Sequence, residues 1–410
     1  MRQQPADAVV CIGEPGINAL GTIRSLGRRG VRVHGVALEG AVEFASASRY
    51  CASITRVRGL DGLYDALLAV KVKGLDRPPL FVDNDRMMRA LQPREQELRR
   101  RFRIVGPVGD AERLMDKAFQ ISAAATAGIA VPRTWFPQDW AEVAAIDSQR
   151  RLIAKPLAAR FAPGTPPPFK VLVAPDPGAL AAELRRVVAD PRDVLVQEYI
   201  EGDDSHVYGA LAYRATNSGA LLALSIRKHR QTVPGAGIMA VGQVIDAPEL
   251  RELTARLMQN IDYRGPIHTE FKRCPVDGKY YFIEWNNRPG YFHSLGWRAG
   301  FDSAWFAYCD FLDPQRMASM DLRHDARHYW ISFQGDLGHL LRRPHLMLRP
   351  STWAPYLSAP EWAVYASDDL RPWLRATRRC GEWLFEMQLR GIRKVARALR
   401  LRPQPASGPA

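Results

Sequence analysis

Two apolar, strand-like runs, Ala8–Gly13 and Val31–Leu38, stand on either side of a helix-like segment, Asn18–Arg29. A helical crossover of that length is what a parallel pair of strands requires, whereas antiparallel neighbours need only a tight turn. The Phe81–Val82 and Ile104–Val105 pairs supply later short strands between helical stretches. The first 110 residues therefore read as a Rossmann-like α/β domain. Its first turn, GEPGINALG, carries Gly13, Gly16 and Gly21 but lacks the GxGxxG spacing that brings a dinucleotide pyrophosphate onto the backbone. Glu39 ends the second strand where a ribose-binding acid could sit, but without those glycines it says little. The expectation is a Rossmann-like domain that holds no dinucleotide.

Near residue 110 the pattern changes. Ala111–Gly128 is helical and Val131–Thr134 (VPRT) closes it. Strand-like runs separated by turns come next: Leu152–Pro156, Lys170–Ala174, Val194–Ile200, His206–Tyr213 and Ala220–Lys228. A helix over Pro248–Asn260 leads to a hairpin, Thr269–Cys274 and Lys279–Trp285, around Asp277-Gly278, a dipeptide suited to a type I′ turn. Beyond residue 312 the chain holds five of its ten tryptophans and many arginines. The expected organisation is an α/β domain over 1–110, an α+β domain over 111–312, and a basic, Trp-rich helical extension over 313–410 with a disordered end.

The five cysteines show no CxxC spacing, no apolar run approaches bilayer-spanning length, and Met1–Gly13 lacks a signal peptide's apolar core. A cytosolic globular chain is expected. The formal net charge is +14, and residues 371–402 alone carry ten basic side chains against two acidic ones. With the excess in one tail and no nucleic-acid motif present, no nucleic-acid partner is expected.

The most informative chemistry lies in Glu270 and the run Glu284-Trp285-Asn286-Asn287-Arg288-Pro289-Gly290. Residues two apart in a strand share a face, so Glu284, Asn286 and Arg288 project together, and the hairpin brings Glu270 nearly opposite Glu284. Two carboxylates and an amide oxygen are the hard ligands Mg²⁺ requires, and Mg²⁺ held this way usually shares its shell with nucleotide phosphates. An arginine beside them can stabilise developing anionic charge. Upstream, Lys155 ends a strand and Lys170 opens its neighbour. The strand Gln197–Ile200 then breaks at Glu201-Gly202-Asp203-Asp204, where backbone groups could face an adenine and a carboxylate the ribose.

Lys117 in MDK, Lys155 in AKP, the QEYIEGDD segment, TEFK and EWNNRPG occur in the order seen in the ATP-grasp superfamily. Over residues 8–312 the chain resembles its carboxylate–amine ligase branch, which includes D-aspartate ligase. The resemblance implies a two-subdomain ATP-grasp fold after the Rossmann-like domain, with ATP and Mg²⁺ as cofactors and Mn²⁺ as a substitute. It implies that Lys117 and Lys155 contact phosphates, that Glu198 and the Tyr199–Ile200 backbone hold adenine, and that Asp204 holds ribose. Glu270, Glu284 and Asn286 would carry the metal, and Arg288 would stabilise an acyl phosphate and the tetrahedral state after it. The segment Arg227–Gln231, with Pro234 and Gly235, matches the branch's basic loop and makes Lys228 and Arg230 catalytic candidates. The partners implied are a small carboxylic acid and an amine, an amino acid among them, joined through an acyl phosphate with release of ADP and phosphate. A carboxylase of the same superfamily and a non-catalytic nucleotide-binding protein are the alternatives.

The chain departs from that pattern in two places. The loop after Lys155, LAARFAPGTPPPF, has four prolines and one glycine where many relatives have a glycine-rich flap, so Arg160 or Lys170 would have to replace its N–H donors. No pocket signature for the acid is legible over 291–312, where Arg298 is the candidate for a substrate carboxylate. His206 and His268 read as structural, and His293, directly after the metal run, could face substrate. Finally, Leu384, Met387, Ile392, Val395 and Leu399 recur at helical spacings opposite Arg390, Arg393, Lys394, Arg397 and Arg400. This pattern over residues 383–402 fits either a helix packed on the catalytic domains with an arginine-rich solvent face or one lying on an anionic membrane at the cytoplasmic face.

Overall fold

The structure is a computed structural model that describes residues 6–14, 16–40, 44–157, 167–378 and 381. Five short strands begin the chain: β1 (Ala8–Ile12), β2 (Val33–Leu38), β3 (Cys51–Val57), β4 (Pro79–Val82) and β5 (Arg103–Val105). All pair in parallel, in the order β3-β2-β1-β4-β5. β1 is buried throughout, as a central parallel strand covered on both faces must be. The chain runs from β1 outward to β3, then returns to the other side for β4 and β5. That reversal opens a crevice at the carboxyl ends of β1 and β4. There Asn84 caps the helix Asp85–Leu91, its Oδ1 accepting the Arg86 and Met87 N–H groups.

A second sheet, antiparallel, holds β6 (Thr134–Trp135), β7 (Leu152–Pro156), β8 (Leu172–Ala174) and β9 (Val194–Glu198) in the order β6-β9-β7-β8. Its apolar face packs on the helices Trp140–Ala144 and Pro177–Val187. β9 ends at Glu198, so Tyr199 and Ile200 leave the strand, and Lys170 precedes β8 rather than opening it.

The third sheet is built on β10 (Val207–Arg214), β11 (Leu221–Gln231), β12 (Met239–Val244), β13 (Gly265–Arg273) and β14 (Tyr280–Asn286). Residues beyond 312 extend it with β15 (Tyr329–Ile331) and β16 (Glu361–Trp362), giving the order β14-β13-β10-β11-β12-β15-β16. The expected helical extension is thus helical in part, with Pro314–Ala318, Phe333–Arg342 and Pro350–Leu357, and contributes two strands as well, of which β16 is the edge. β10 and β13 approach closely: a Cβ at Gly209 would lie 2.2 Å from the Thr269 carbonyl oxygen. The helix Pro248–Asn260 buries Leu250, Leu253 and Leu257, one helical face, against Phe271, Phe282 and Trp285. A further core joins the helix Ile17–Gly27 to Phe292, Phe301, Phe306 and Trp330, tying the first sheet to the third.

The hairpin turn is not type I′. Its loop spans 275–278, closed by Cys274 N–H to the Lys279 carbonyl and Gly278 N–H to the Cys274 carbonyl, both 2.9 Å. Gly278 has φ 73° and Asp277 does not have positive φ, whereas type I′ needs it at both central residues. Pro275, with its ring-fixed negative φ, starts a longer loop instead. Arg160 and the amphipathic pattern over 383–402 lie outside the described residues. Among the described residues no helix is long and apolar enough to cross a membrane.

Candidate active site

The three sheets meet around a cleft of about 1190 Å³. Its floor is the β13–β14 hairpin, where Glu270 pairs directly with Glu284 and a register shift follows. Asn286 comes two residues later, and its amide nitrogen approaches His268 Nδ1 at 3.4 Å, which leaves the carbonyl oxygen as the free end. Lys228 on β11 donates from Nζ to Glu270 Oε2 at 2.7 Å. Lys117 opens the helix Lys117–Thr126, capped by Asp116, and its Nζ lies 3.4 Å from Glu284 Oε2. Buried Gln120 fastens that helix to β14, donating to the Trp285 carbonyl at 3.0 Å and accepting its N–H at 3.3 Å. Lys155 on β7 and Lys170 before β8 line the same cleft.

Burial pushes the Lys155 ammonium down to about 8, with Lys117 and Lys272 acting the same way and Glu284 and Glu270 opposing. Lys170 is lowered too, chiefly by burial. Burial alone would raise Glu284, but Lys117, Lys155 and Lys228 outweigh it and hold the carboxyl at about 2. Four ammonium groups around two carboxylates leave excess positive charge in a partly desolvated place, which a polyanion would neutralise. The acid pair and the Asn286 amide are all-oxygen donors, so the set fits a hard divalent cation. Among the described residues no group of three or more His, Cys, Asp or Glu side chains is placed to hold a metal. The set that fits here is two carboxylates and an amide.

At the other side of the floor, Glu198, Tyr199, Ile200 and Asp204 all line the cleft. Glu198 faces Arg133 at 3.5 Å and Arg150 at 3.9 Å. The Tyr199 N–H is already bonded to the Arg151 carbonyl at 2.7 Å, so the expected adenine edge narrows to the Ile200 side. Lys272 Nζ sits 4.3 Å from the Tyr199 ring centroid. Asp204 is buried, and its Oδ1 accepts from Gln231 Nε2 at 2.9 Å and Gly235 N–H at 2.7 Å, while Oδ2 has no hydrogen-bond partner.

Arg288 enters from beyond β14 and donates to both Asp85 oxygens, from Nε at 2.7 Å and Nη2 at 3.1 Å. Asp85 and the neighbouring Asp83 stand at the carboxyl end of β4, in the first sheet's crevice. The sequence reading missed them, although a VDND run closing an apolar parallel strand marks such a crevice. It also missed Gln231 and the placement of His268, which lines the cleft and is pushed down to about 4 by burial. His206 lies outside any strand and bonds Asp203 at 2.9 Å.

Three candidates lie elsewhere. Arg230 does not line the cleft: it is buried against Asp336, with bonds of 2.6 and 2.9 Å. The cause is a pair of register shifts, between Lys228 and Arg230 and between Arg230 and Gln231, which turn Gln231 inward in its place. Arg298 donates to the Ala359 carbonyl at 2.7 Å, away from the cleft. His293 packs behind the helix Ile17–Gly27, its Nε2 3.1 Å from the Asn18 carbonyl, where Gly21 leaves room for the ring.

No protein-family model matches the chain, and no curated protein does. Solved structures do share its backbone path. N5-carboxyaminoimidazole synthetase from Staphylococcus aureus is similar at TM-score 0.59 and 14% identity, over 84% of this chain and 86% of that one. The biotin carboxylase domain of Hydrogenobacter thermophilus 2-oxoglutarate carboxylase, solved with MgADP and bicarbonate, is similar at TM-score 0.58 and 16% identity, over 76% and 70%. L-amino acid ligase from Bacillus licheniformis is similar at TM-score 0.55 and 14% identity, over 76% and 75%. The longer pyruvate carboxylase of Rhizobium etli is matched as well, with the chain spanning 28% of its length. These are ATP-grasp enzymes, and the likeness is one of fold: a Rossmann-like sheet leads into the two sheets of an ATP-grasp architecture, and that is the fold of this chain.

Proposed function

We propose that the chain is an ATP-dependent carboxylate–amine ligase, of the branch that includes D-aspartate ligase, forming an amide with release of ADP and phosphate. The observation that carries this reading is the convergence of Lys117, Lys155, Lys170 and Lys228 on the cross-strand pair Glu270–Glu284. Such a floor suits a triphosphate and a divalent cation together, and solved proteins of the same fold carry ADP or MgADP. ATP would lie with its base toward Ile200 and Glu198 and its ribose toward Asp204. Mg²⁺, with Glu270, Glu284 and Asn286 as its ligands and Mn²⁺ able to replace it, would supply charge neutralisation at the phosphate oxygens. In this reading the reaction belongs to the cytoplasm.

A carboxylate oxygen of the acid attacks the γ-phosphorus, the bond to the β–γ bridging oxygen breaks, and ADP leaves with that electron pair. Lys155, Lys170 and Lys228 draw the two anions together, which would otherwise repel. The amine nitrogen then attacks the acyl carbon of the acyl phosphate. Arg288, held in place by Asp85, faces the charge on the tetrahedral oxygen. The C–O bond to phosphate breaks, orthophosphate departs with that electron pair, and the nitrogen gives up its proton to the departing phosphate.

The test is a screen of full-length protein with ATP and Mg²⁺ against small acids, amines and bicarbonate, reading nucleotide products and amide by mass spectrometry. ADP and orthophosphate in equal amounts, with an amide, are expected. AMP and pyrophosphate as products overturn the reading, and turnover with bicarbonate alone puts a carboxylase in its place.

A further inference from the structure

The cleft exceeds the roughly 300–1,000 Å³ usual for a single small ligand, so it has room for a second molecule. One end differs in character from the lysine-rich floor. At the carboxyl ends of β1 and β4 the wall consists of Glu14, Asn18, Asp83, Asn84 and Asp85. Asn18 is 6% exposed, and its Nδ2 donates to the carbonyl oxygens of Asp83 at 3.3 Å and Pro289 at 3.0 Å. Two carbonyl acceptors on that side decide which end of the amide is nitrogen. Oδ1 is therefore an acceptor, and it is buried with no hydrogen-bond partner. A buried acceptor left unmatched is costly, so this position calls for a donor.

The donor that fits is cationic. Asp83 beside it is 6% exposed and accepts from Thr22 Oγ1 at 2.6 Å. Glu14 and Asp85 add two further carboxylates. Of the cations that face this end, Arg288 is engaged with Asp85, and Arg86 stands exposed at the rim. A hydroxyl could satisfy Asn18 Oδ1 but would leave Asp83, whose carboxyl is pushed up by burial, without a paired cation, whereas an ammonium group answers both.

We infer that this end of the cleft binds a protonated amino group of the substrate, held by Asn18 Oδ1 and the Asp83 carboxylate, with Glu14 at the mouth. The inference deepens the ligase reading and rests on it only for the role of the bound molecule. An ammonium held there keeps its proton and cannot attack, so the molecule it belongs to is an amino acid serving as acyl donor, its carboxylate directed toward Arg288 and the lysines.

Calorimetric titration of the full-length chain, with MgADP present, tests this. The probes are the common amino acids, each beside its des-amino acid and its decarboxylated amine, such as alanine with propionate and ethylamine, or aspartate with succinate. At least one amino acid should bind tenfold or more tighter than its des-amino counterpart. Asp83→Asn should remove that difference, and Glu14→Gln, at an exposed position, should reduce it severalfold. MgADP titrated alone reports whether each variant remains folded at the cleft. Equal binding of amino and des-amino acids, or no binding by any amino acid or amine, overturns the inference. Amino-acid binding without phosphate release leaves the ammonium site standing and removes the ligase reading. Amines binding as tightly as the amino acids overturn the assignment to an acyl donor, since the carboxylate then adds nothing to recognition.

Discussion

Lys228 and Arg230 lie two residues apart on one strand, and each is buried against a carboxylate, yet they belong to different parts of the molecule. Lys228 meets Glu270 on the floor of the cleft, beside Lys155, Lys170 and Glu284. Arg230 meets Asp336, whose side chain is fully buried and also accepts from Tyr356 Oη at 2.6 Å. Arg230 also donates to the Thr352 carbonyl at 3.2 Å, so its network is closed and fixes the layer beyond residue 312 onto the sheet. The Lys228–Glu270 pair is open on the cleft side, where a cation and a polyanion can exchange into it. A buried ion pair is thus a bolt where every partner is protein and a binding site where one side is left to a ligand.

The largest change should come from breaking the closed pair. Arg230→Ala leaves the Asp336 carboxylate buried beside a void, and removing one partner of such a pair costs about 3–5 kcal/mol. Urea unfolding should show that loss, while MgADP affinity of the folded fraction stays near that of the parent chain. A collapse of nucleotide binding with stability intact would return Arg230 to the cleft.

Next is the open floor. Glu284→Gln should lower ADP formation by roughly a hundredfold or more, with circular dichroism unchanged and the unfolding midpoint lowered, because a carboxyl held at about 2 by lysines stabilises the fold at neutral pH. Its side chain is 37% exposed to the cleft and supports no core packing. Full activity in the folded variant would remove Glu284 from the metal set.

Lys228→Met makes the comparison directly. Nucleotide affinity should fall about tenfold, or ~1.4 kcal/mol, because a phosphate loses one ammonium. Stability should fall by less than with Arg230→Ala, since removing one of several crowded lysines relieves repulsion among the rest.

The subtlest readout is a pH slope. Lys155 sits at about 8 in the folded chain against its ordinary 10.5, so in that window the unfolded chain binds more protons. Stability of the ligand-free protein should therefore rise with pH from about 8 to 10.5, and Lys155→Met should flatten the slope. An unchanged slope in that variant would mean the ammonium is better solvated than its surroundings indicate.

Elements with a strong local pattern were legible in the sequence. The strand Leu152–Pro156 and the helix Pro248–Asn260 stand where their apolar patterns place them, and the hairpin puts Glu270 opposite Glu284. A strand's alternation, however, holds only until a bulge. The register shifts between Lys228 and Arg230 and again between Arg230 and Gln231, which is why Arg230 leaves the cleft and Gln231 enters it. The candidacies of Arg298 and His293 failed for a related reason: proximity in sequence to a metal-binding run says nothing about which way a loop turns.

What the sequence by itself determined is therefore the set of local pieces and the residue types on each, because helix period, strand alternation and capping act within a few residues. What only the tertiary structure decided is which pieces share the cleft. Arg288 meets Asp85 across 203 positions of chain, and Lys117 meets Glu284 across 167. Asn18 reaches Pro289 across 271, leaving one acceptor open beside Asp83. No local preference encodes such meetings. They follow from packing the first sheet against the third through a shared apolar core, in which Ile23, Phe301 and Trp330 are buried, and the charged groups lie where that packing sets them.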